Sequence, residues 1–316
     1  MPISEIQGVI CCGNIVFDTA VWPVEDLDWN TTTWVETITE GIGGNGANTS
    51  FTLAKLGTPV RLLSITGTDD RGVRALEILQ AVGVDTEGVR RDGTEPTSTT
   101  AVLIHRDGDR KFLHRPGISR VLAASDVTLS PLAAGFTHFH LANPFAFPTL
   151  RTDTGSVMRR AREAGLTTSM DTGWDSKGRW MMDLSAALPY TDLLFVNDAE
   201  ARLLGGSDDL EVALAELHRQ GARDVVVKTG SKGCSVCTPD SVLDVPGFKA
   251  AAKDSTGAGD CFAGAFLTGI ARGMNYQECA TFANAVGAMN VEHIGATAGV
   301  RSFDETLAWM RQRNNS

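Results

Sequence analysis

Short apolar runs alternate with amphipathic stretches through most of the chain. The apolar runs are rich in β-branched residues, which favours strands, and they lie at residues 9–12, 60–65, 138–141, 167–171, 193–196 and 225–228. Between them, apolar residues recur with a helical period at 71–82, 156–164 and 210–220. Strands that alternate with helices of this length predict βαβ units, and the pattern after Gly257 is mainly helical. The predicted fold class is α/β, with a mostly parallel central sheet and helices on both faces.

Two segments depart from this alternation. Residues 18–40 are rich in Thr and Trp and show no helical period. Residues 97–113 alternate like a half-buried pair of strands around a turn at Asp107-Gly108-Asp109. Together they predict a small β lid over the carboxyl edge of the main sheet, formed by segments at about 16–40 and 97–116. Because no repeat or long linker interrupts the pattern, we expect one domain over residues 1–316.

Composition narrows the function classes. The 316 residues carry 28 Lys and Arg against 38 Asp and Glu, a formal net charge of −10, which argues against a general binder of nucleic acid or anionic membranes. No uninterrupted apolar stretch is long enough to cross a bilayer and no signal-peptide pattern opens the chain, so a cytoplasmic protein is expected. The six cysteines, including the C-x-x-C at Cys234 and Cys237, are interpreted as small core residues rather than metal or redox groups.

The most informative motif is Asp254-Ser255-Thr256-Gly257-Ala258-Gly259-Asp260. Apolar residues after it fall on one helical face, so the Gly-Ala-Gly turn is predicted to open a buried helix. Free backbone N–H groups and the positive end of the helix dipole favour an anion there. An Asp that served only as a helix cap would need no run of small residues before it, so Asp260 is interpreted as functional.

A second Gly-rich segment runs from Gly41 to Asn48 and contains a literal G-x-G-x-x-G. The dinucleotide fingerprint requires an apolar strand directly before it, whereas residues 31–40 are polar. A dinucleotide-binding oxidoreductase is therefore disfavoured. The amides of Asn45 and Asn48 beside a Gly-rich backbone suit hydrogen bonds to a polyol, although a tight turn followed by a helix start also accounts for the segment.

Two weaker motifs follow predicted strands. Asn197-Asp198-Ala199-Glu200 lies at the carboxyl end of a predicted parallel strand, where ligand sites of α/β proteins occur, but a helix-capping pair explains it almost as well. Residues 228–233, Lys-Thr-Gly-Ser-Lys-Gly, resemble a phosphate-contacting turn without the spacing of a Walker A loop.

Taken together and in this order, the motifs resemble those of the ribokinase-like (PfkB) family of carbohydrate kinases, from about residue 13 to residue 299. Residues 43–48 resemble the first signature of that family and residues 254–260 the second, usually D-T-x-G-A-G-D, with Ser255 in place of Thr. The resemblance implies a ribokinase-like three-layer α/β/α sandwich. It also implies an ATP-dependent kinase that phosphorylates a hydroxyl of a small sugar, with Mg²⁺ and a monovalent cation such as K⁺.

The resemblance also implies roles for individual residues. Asp260 would take the proton from the acceptor hydroxyl, and the backbone of Gly257, Ala258 and Gly259 would form an anion hole for the transferring phosphoryl group. The acceptor would be bound by Asp18, Gly44, Asn45 and Asn48. The nucleotide, its phosphates and water-bound Mg²⁺ would be held by Asn197, Glu200, Thr229, Gly230, Gly233 and Asn284. Asp254 and Thr256 would border the monovalent-cation site.

The sequence does not identify the acceptor. Asn45 stands where ribokinase carries Lys, so ribose is less secure than a sugar in general. A nucleoside kinase of the same fold, with a base bound beneath the lid, is the main alternative. Asn143 and the lid residues His114 and Arg115 have no assigned role. Because lid strands would leave an exposed edge, a homodimer formed through the lid is expected.

Overall fold

The computed structural model describes residues 6–129 and 135–314. Thirteen strands lie in this part of the chain: β1 (Val9–Gly13), β2 (Val16–Trp22), β3 (Thr37–Gly43), β4 (Val60–Thr66), β5 (Val89–Arg91), β6 (Ser98–Ile104), β7 (Arg110–Arg115), β8 (His138–Ala142), β9 (Thr167–Asp171), β10 (Leu193–Asn197), β11 (Asp224–Lys228), β12 (Gly233–Cys237) and β13 (Val242–Pro246). The six strands predicted from apolar runs are all present.

Nine strands form the central sheet in the order β13-β12-β11-β10-β9-β8-β1-β4-β5. From β11 to β5 every neighbouring pair is parallel, and the pairs β11–β12 and β12–β13 are antiparallel. The predicted α/β class with a mostly parallel sheet is confirmed. A parallel sheet places the carboxyl ends of its strands at one edge, and this edge carries the site described below.

The helices of the described residues are α1 (Asn45–Lys55), α2 (Asp70–Ala81), α3 (Thr154–Glu163), α4 (Met181–Leu184), α5 (Asp198–Gly205), α6 (Leu210–Arg219), α7 (Ala258–Ala271), α8 (Tyr276–Val291) and α9 (Phe303–Asn314). The three helices predicted from periodicity correspond to α2, α3 and α6, with ends that agree within two residues. α7 follows the Gly-Ala-Gly turn as predicted and is buried along nearly its whole length.

Successive side chains of a strand point to opposite faces of the sheet, so they pack in two apolar cores, one on each face. In β1, Cys11 packs in the core formed with α1, α2, α7 and α8, whereas Cys12 packs in the core formed with α3, α5 and α6. Cys234 and Cys237 likewise lie in opposite cores, as expected for positions i and i+3 of a strand. All six cysteines are free and buried, which confirms their interpretation as core residues.

A second, four-stranded sheet has the order β3-β2-β6-β7, with the Gly108 turn between β6 and β7. β2, β6 and β7 fall within the two segments predicted to form a lid, and β3 extends three residues beyond the first of them. Since β3 belongs to this small sheet, the Gly-rich turn at Gly44 follows no strand of the parallel sheet, and the βαβ context of a dinucleotide site is missing. Among the described residues, no helix is long and apolar enough to span a membrane.

Candidate active site

Asp260 lies in the first turn of α7, which begins behind Gly257 in a left-handed conformation (φ 71°). Glycine is needed there, because a Cβ at position 257 would lie 2.3 Å from the carbonyl oxygen of Ala296. The Asp260 carboxylate is buried and accepts two amide hydrogen bonds, from Asn45 Nδ2 at 2.7 Å and from Asn48 Nδ2 at 2.8 Å. Burial first and the charge of Asp171 second raise the pKa of Asp260 to about 6. A carboxylate with such a pKa is ionised at neutral pH yet basic enough to accept a proton.

Asn45 and Asn48, which donate these two hydrogen bonds, lie at the start of α1, and this end of the helix packs tightly against the end of β1. A Cβ at Gly46 would lie 2.4 Å from the backbone of Gly13, so only glycine permits this approach. Asn14 Oδ1 accepts the backbone N–H of Asn45 at 2.9 Å. Asn143, which follows β8, donates its Nδ2 to Asn45 Oδ1 at 2.9 Å. A chain of side-chain amides therefore fixes the orientation of Asp260.

A cavity of about 750 Å³, here called the Asp260 cavity, opens between the two sheets at this point. Seven of the residues predicted from sequence line it: Asp18, Gly44, Asn45, Asn48, Thr256, Gly257 and Asp260. The small sheet contributes Thr100, Phe112 and His114, and loops after β8 and β9 contribute Asn143, Phe145, Arg151, Trp174 and Lys177. Asn14, Thr100, Phe145, Arg151, Trp174 and Lys177 were not predicted, because no local motif marks them.

Three buried side-chain oxygens on the wall of this cavity have no hydrogen-bond partner within the described residues: Asp18 Oδ1, Asn48 Oδ1 and Asn143 Oδ1. Burial is the largest cause that raises the pKa of Asp18 to about 7, with a hydrogen bond from Thr100 opposing it. Buried polar atoms are normally paired, so unpaired acceptors around a cavity indicate a ligand that donates hydrogen bonds.

A second cavity of about 660 Å³, the Gly230 cavity, also borders the N-terminus of α7. Gly230, Gly233 and Asn284 line it as predicted, together with Ala258 and Gly259 of the Gly-Ala-Gly turn. Thr229 does not line it: its N–H donates to the carbonyl of Gly233, and the preceding residue Lys228 faces the cavity instead. The amide of Asn284 donates to the carbonyls of Val245 and Pro246 at 3.2 Å.

Asn197 and Glu200 form a reciprocal helix cap at the start of α5. Asn197 Oδ1 accepts the N–H of Glu200, and Glu200 Oε2 accepts the N–H of Asn197, both at 2.8 Å. The two residues therefore cap the helix, as one of the two interpretations of the sequence predicted. Neither residue lines the Asp260 cavity or the Gly230 cavity. The contacts of Glu200 all use Oε2, since Thr172 also donates there, and burial is the first cause that raises the pKa of Glu200. No residue that the structure describes donates a hydrogen bond to its Oε1, so the pair fits a water-mediated Mg²⁺ role.

Asp254 is fully buried and pairs with no Lys or Arg in the described part of the chain. Its carboxylate accepts the N–H groups of Thr256 and Gly295, each at 2.9 Å. The buried Thr256 Oγ1 has no partner among the same residues. These oxygens fit a monovalent cation. The nearby carbonyls of Thr256 and Ala296 already accept hydrogen bonds from Asn290 Nδ2.

His114 and Arg115, which had no role assigned from the sequence, lie in different surroundings. His114 Nδ1 lies 3.0 Å from Thr100 Oγ1 at the wall of the Asp260 cavity, and burial lowers its pKa. Arg115 lies outside that cavity, 3.9 Å from Glu95. Sequence reasoning missed Asp171 and its 2.6 Å ion pair with Lys228, although both residues end parallel strands, the same position that drew attention to Asn197.

Comparison with known proteins decides the family. The family model described as pfkB family carbohydrate kinase matches residues 8–302. The chain belongs to this family. The resemblance stated from sequence is confirmed, and with it the assignment as a carbohydrate kinase of the pfkB family.

Curated relatives of this pfkB chain carry different substrate names. An ATP-dependent ribose-1-phosphate kinase of Halopiger xanaduensis is 33% identical over 86% of this chain and 87% of its own length. Probable fructokinase-5 of Arabidopsis thaliana is 29% identical over 86% and 89%. A nucleoside kinase of Methanothermobacter thermautotrophicus is 27% identical over 96% of each chain.

Solved structures agree on the fold. A candidate ribokinase II from E. coli in complex with ATP and Mg²⁺ superposes with a TM-score of 0.85 at 23% identity, over 98% of this chain and 100% of that one. Arabidopsis thaliana ribokinase complexed with ribose and ATP gives a TM-score of 0.81 at 24% identity, over 98% and 99%. These likenesses confirm the ribokinase-like architecture.

Proposed function

We propose that this pfkB kinase transfers the γ-phosphoryl group of ATP to a hydroxyl of a small sugar. The observation that carries the proposal is the set of unpaired buried acceptors, Asp18 Oδ1, Asn48 Oδ1 and Asn143 Oδ1, around the ionisable Asp260. A hydroxyl-rich molecule supplies the donors that these atoms lack. Its reacting hydroxyl would lie beside Asp260, which would take the proton as the new P–O bond forms.

The arrangement of the two cavities supports an in-line transfer. Gly257 and Asp260 line the Asp260 cavity, while Ala258 and Gly259 line the Gly230 cavity. An acceptor in the first and ATP in the second would therefore meet at the N-terminus of α7. The free N–H groups and dipole of that helix end stabilise negative charge on a phosphoryl group. Phosphoryl transfer depends mainly on such positioning and charge stabilisation.

Mg²⁺ would neutralise charge on the ATP phosphates. Glu200, with Asn197 beside it, would hold this ion through water, since the hydrogen bonds that Glu200 accepts from the described residues all use Oε2. The structural relative that contains ATP and Mg²⁺ supports this pair of cofactors. A monovalent cation at Asp254 and Thr256 would act on the backbone of the Gly-Ala-Gly turn rather than on substrate.

A nucleoside is the second candidate acceptor, and the aromatic side of the Asp260 cavity favours it. Phe112 of the small sheet, Phe145 and Trp174 line the cavity, and Trp174 is 61% exposed. Aromatic faces of this kind stack on a flat ring such as a base. The nucleoside kinase among the relatives supports keeping this candidate.

We also propose that the protein is a cytoplasmic homodimer. Edge strand β7 exposes all its residues, including Leu113, and β3 forms the other edge of the small sheet. Pairing of the small sheet with that of a second copy would cover such an edge. Light scattering that finds only monomer at micromolar concentration would contradict the dimer. The free cysteine thiols support a reducing compartment.

The test is acceptor-dependent release of ADP from ATP and Mg²⁺ across a panel of pentoses, hexoses, sugar phosphates and nucleosides. We expect at least one sugar to give turnover well above the rate with water alone. Turnover confined to nucleosides would replace the first candidate by the second. An absence of turnover with every acceptor, by a folded protein that binds ATP, would contradict both.

A further inference from the structure

We propose that Lys228 is a further catalytic residue, whose ammonium group binds the phosphoryl group during transfer, and that Asp171 positions this ammonium. The proposal rests on the proposed kinase function. Lys228 is the first residue of the 228–233 turn, and Asp171 lies outside every motif identified from the sequence.

Lys228 is the last residue of β11, and its side chain is only 15% exposed. Its Nζ donates to Asp171 Oδ2 at 2.6 Å. Asp171 ends β9, and β10 lies between these two strands. The lysine side chain therefore reaches across the carboxyl end of β10 to Asp171, along the edge of the sheet that carries the site.

The ammonium also lies against the first turn of α7. A Cβ built at Gly259 would be 3.2 Å from Lys228 Nζ, so the absence of a side chain at this position gives the ammonium room beside the anion hole. Lys228 and Gly259 line the Gly230 cavity together. An oxygen held by the backbone N–H groups of this turn would also be within reach of the lysine.

The charges around Lys228 show why a cation is needed there. Asp171, Glu200 and Asp260 all act on it electrostatically, three carboxylates against one ammonium. Burial opposes the charged form, but the attraction of Asp171 and Glu200 outweighs it, so the pKa of Lys228 is raised and the ammonium stays protonated. Of the two lysines that line the Gly230 cavity, Lys249 is exposed, whereas the side chain of Lys228 is only partly exposed. Without Lys228, an arriving polyphosphate would meet uncompensated carboxylates.

An ammonium has three N–H donors, so Lys228 can keep its bond to Asp171 and donate another to a γ-phosphoryl oxygen. During transfer the bond from the γ-phosphorus to the β,γ-bridging oxygen breaks and a bond to the acceptor oxygen forms. The acceptor proton goes to Asp260 and ADP leaves, while Lys228 keeps its proton throughout. Its contribution is charge stabilisation, which is greatest in a site shielded from water.

The test compares Lys228→Met with Lys228→Arg and with Lys111→Met, a matched loss of charge on exposed strand β7. Turnover is measured with the best acceptor, and calorimetry gives the affinities for ATP and ADP with Mg²⁺. In Lys228→Met we expect kcat to fall about 10²–10³-fold, the usual effect of losing one donor to developing charge. ATP binding should weaken about tenfold more than ADP binding. Lys228→Arg should keep intermediate activity, and Lys111→Met should match the parent.

Two results would overturn the role of Lys228: a kcat of Lys228→Met within threefold of the parent, or equal loss of affinity for ATP and ADP, which would mean that the lysine only shapes the cavity. If Lys228→Met does not fold, the role of Lys228 is tested with Lys228→Arg and with the isosteric variant Asp171→Asn. Asp171→Asn should lower kcat about tenfold with little change in KM for ATP, and an unchanged kcat would contradict its positioning role. If the parent itself releases no ADP with any acceptor, the kinase proposal fails, and the ATP-to-ADP affinity ratio still tests the γ-phosphate contact.

Discussion

The amide hydrogen bonds to Asp260 should set the pH at which this enzyme loses activity in acid. Burial raises the pKa of Asp260, and the bonds from Asn48 and Asn45 oppose that increase. Replacing Asn48 by Ala removes a donor that lies 2.8 Å from Asp260 Oδ2. The ionised form of Asp260 is then stabilised less, so its pKa should rise further.

The size of the change follows from the strength of the lost bond. A hydrogen bond to a charged group contributes about 1.5–3 kcal/mol, and 1.36 kcal/mol corresponds to one pKa unit. Water that enters the space left by the amide will restore part of this stabilisation. We therefore expect an increase of about one unit, which moves the acid limb of kcat/KM from near pH 6 to near pH 7, since the pKa of Asp260 in the parent is about 6.

The assay is kcat/KM measured as ADP release from pH 5 to pH 9. Asp18 and His114 also titrate in the Asp260 cavity, so Asp18→Asn and His114→Asn serve as control backgrounds. The level of kcat/KM will drop in Asn48→Ala because a substrate contact is lost, but the position of the limb is independent of that level. An acid limb at the same pH in Asn48→Ala and its parent would refute the assignment of the limb to Asp260.

Three further outcomes follow from the structure. The folded-state pKa of Asp18 is raised from 3.8 to about 7, so its contribution to stability is fully present below pH 4 and is lost as the pH rises through 7. Denaturant unfolding should therefore show Asp18→Asn gaining stability over the parent between pH 4 and pH 8, by up to about 4 kcal/mol, and a pH-independent difference would contradict the shift. Arg151 is buried and bonds Asp175 at 2.9 Å and Asp183 at 2.5 Å, so Arg151→Met should lower the free energy of unfolding by about 3–5 kcal/mol in the same assay, whereas a loss below 1 kcal/mol would show that the carboxylates find other partners. Replacing K⁺ by a large organic cation at constant ionic strength should lower kcat through the Asp254 site, and an unchanged kcat would show that Asn290 and the backbone suffice there.

The local patterns of this chain predict its elements well. Strands such as β9 and helices such as α6 carry their period within a few consecutive residues, so their bounds follow from sequence. The same holds for the anion-binding turn before α7, because the small residues and Asp260 are contiguous.

Contacts between segments that are distant along the chain could not be predicted from the sequence. Asn143 meets Asn45 across 98 positions, and Lys228 meets Asp171 across 57. Neither pair has a local motif, and the strand order that brings them together is set by packing on both faces of the sheet. The aromatic wall of the Asp260 cavity is similar, since Phe112 lies in β7 of the small sheet and Trp174 in the loop after β9 of the central sheet.

In the proposed reaction, Asp260 takes the proton from the acceptor hydroxyl while ATP binds beside it. Its most direct test is Asp260→Ala, compared with the parent for acceptor-dependent ADP release, for ATP affinity and for thermal unfolding. We expect turnover to fall by on the order of 10²–10⁴-fold or more, with ATP affinity and folding nearly unchanged. Activity within about tenfold of the parent would contradict the assignment of Asp260 as the base.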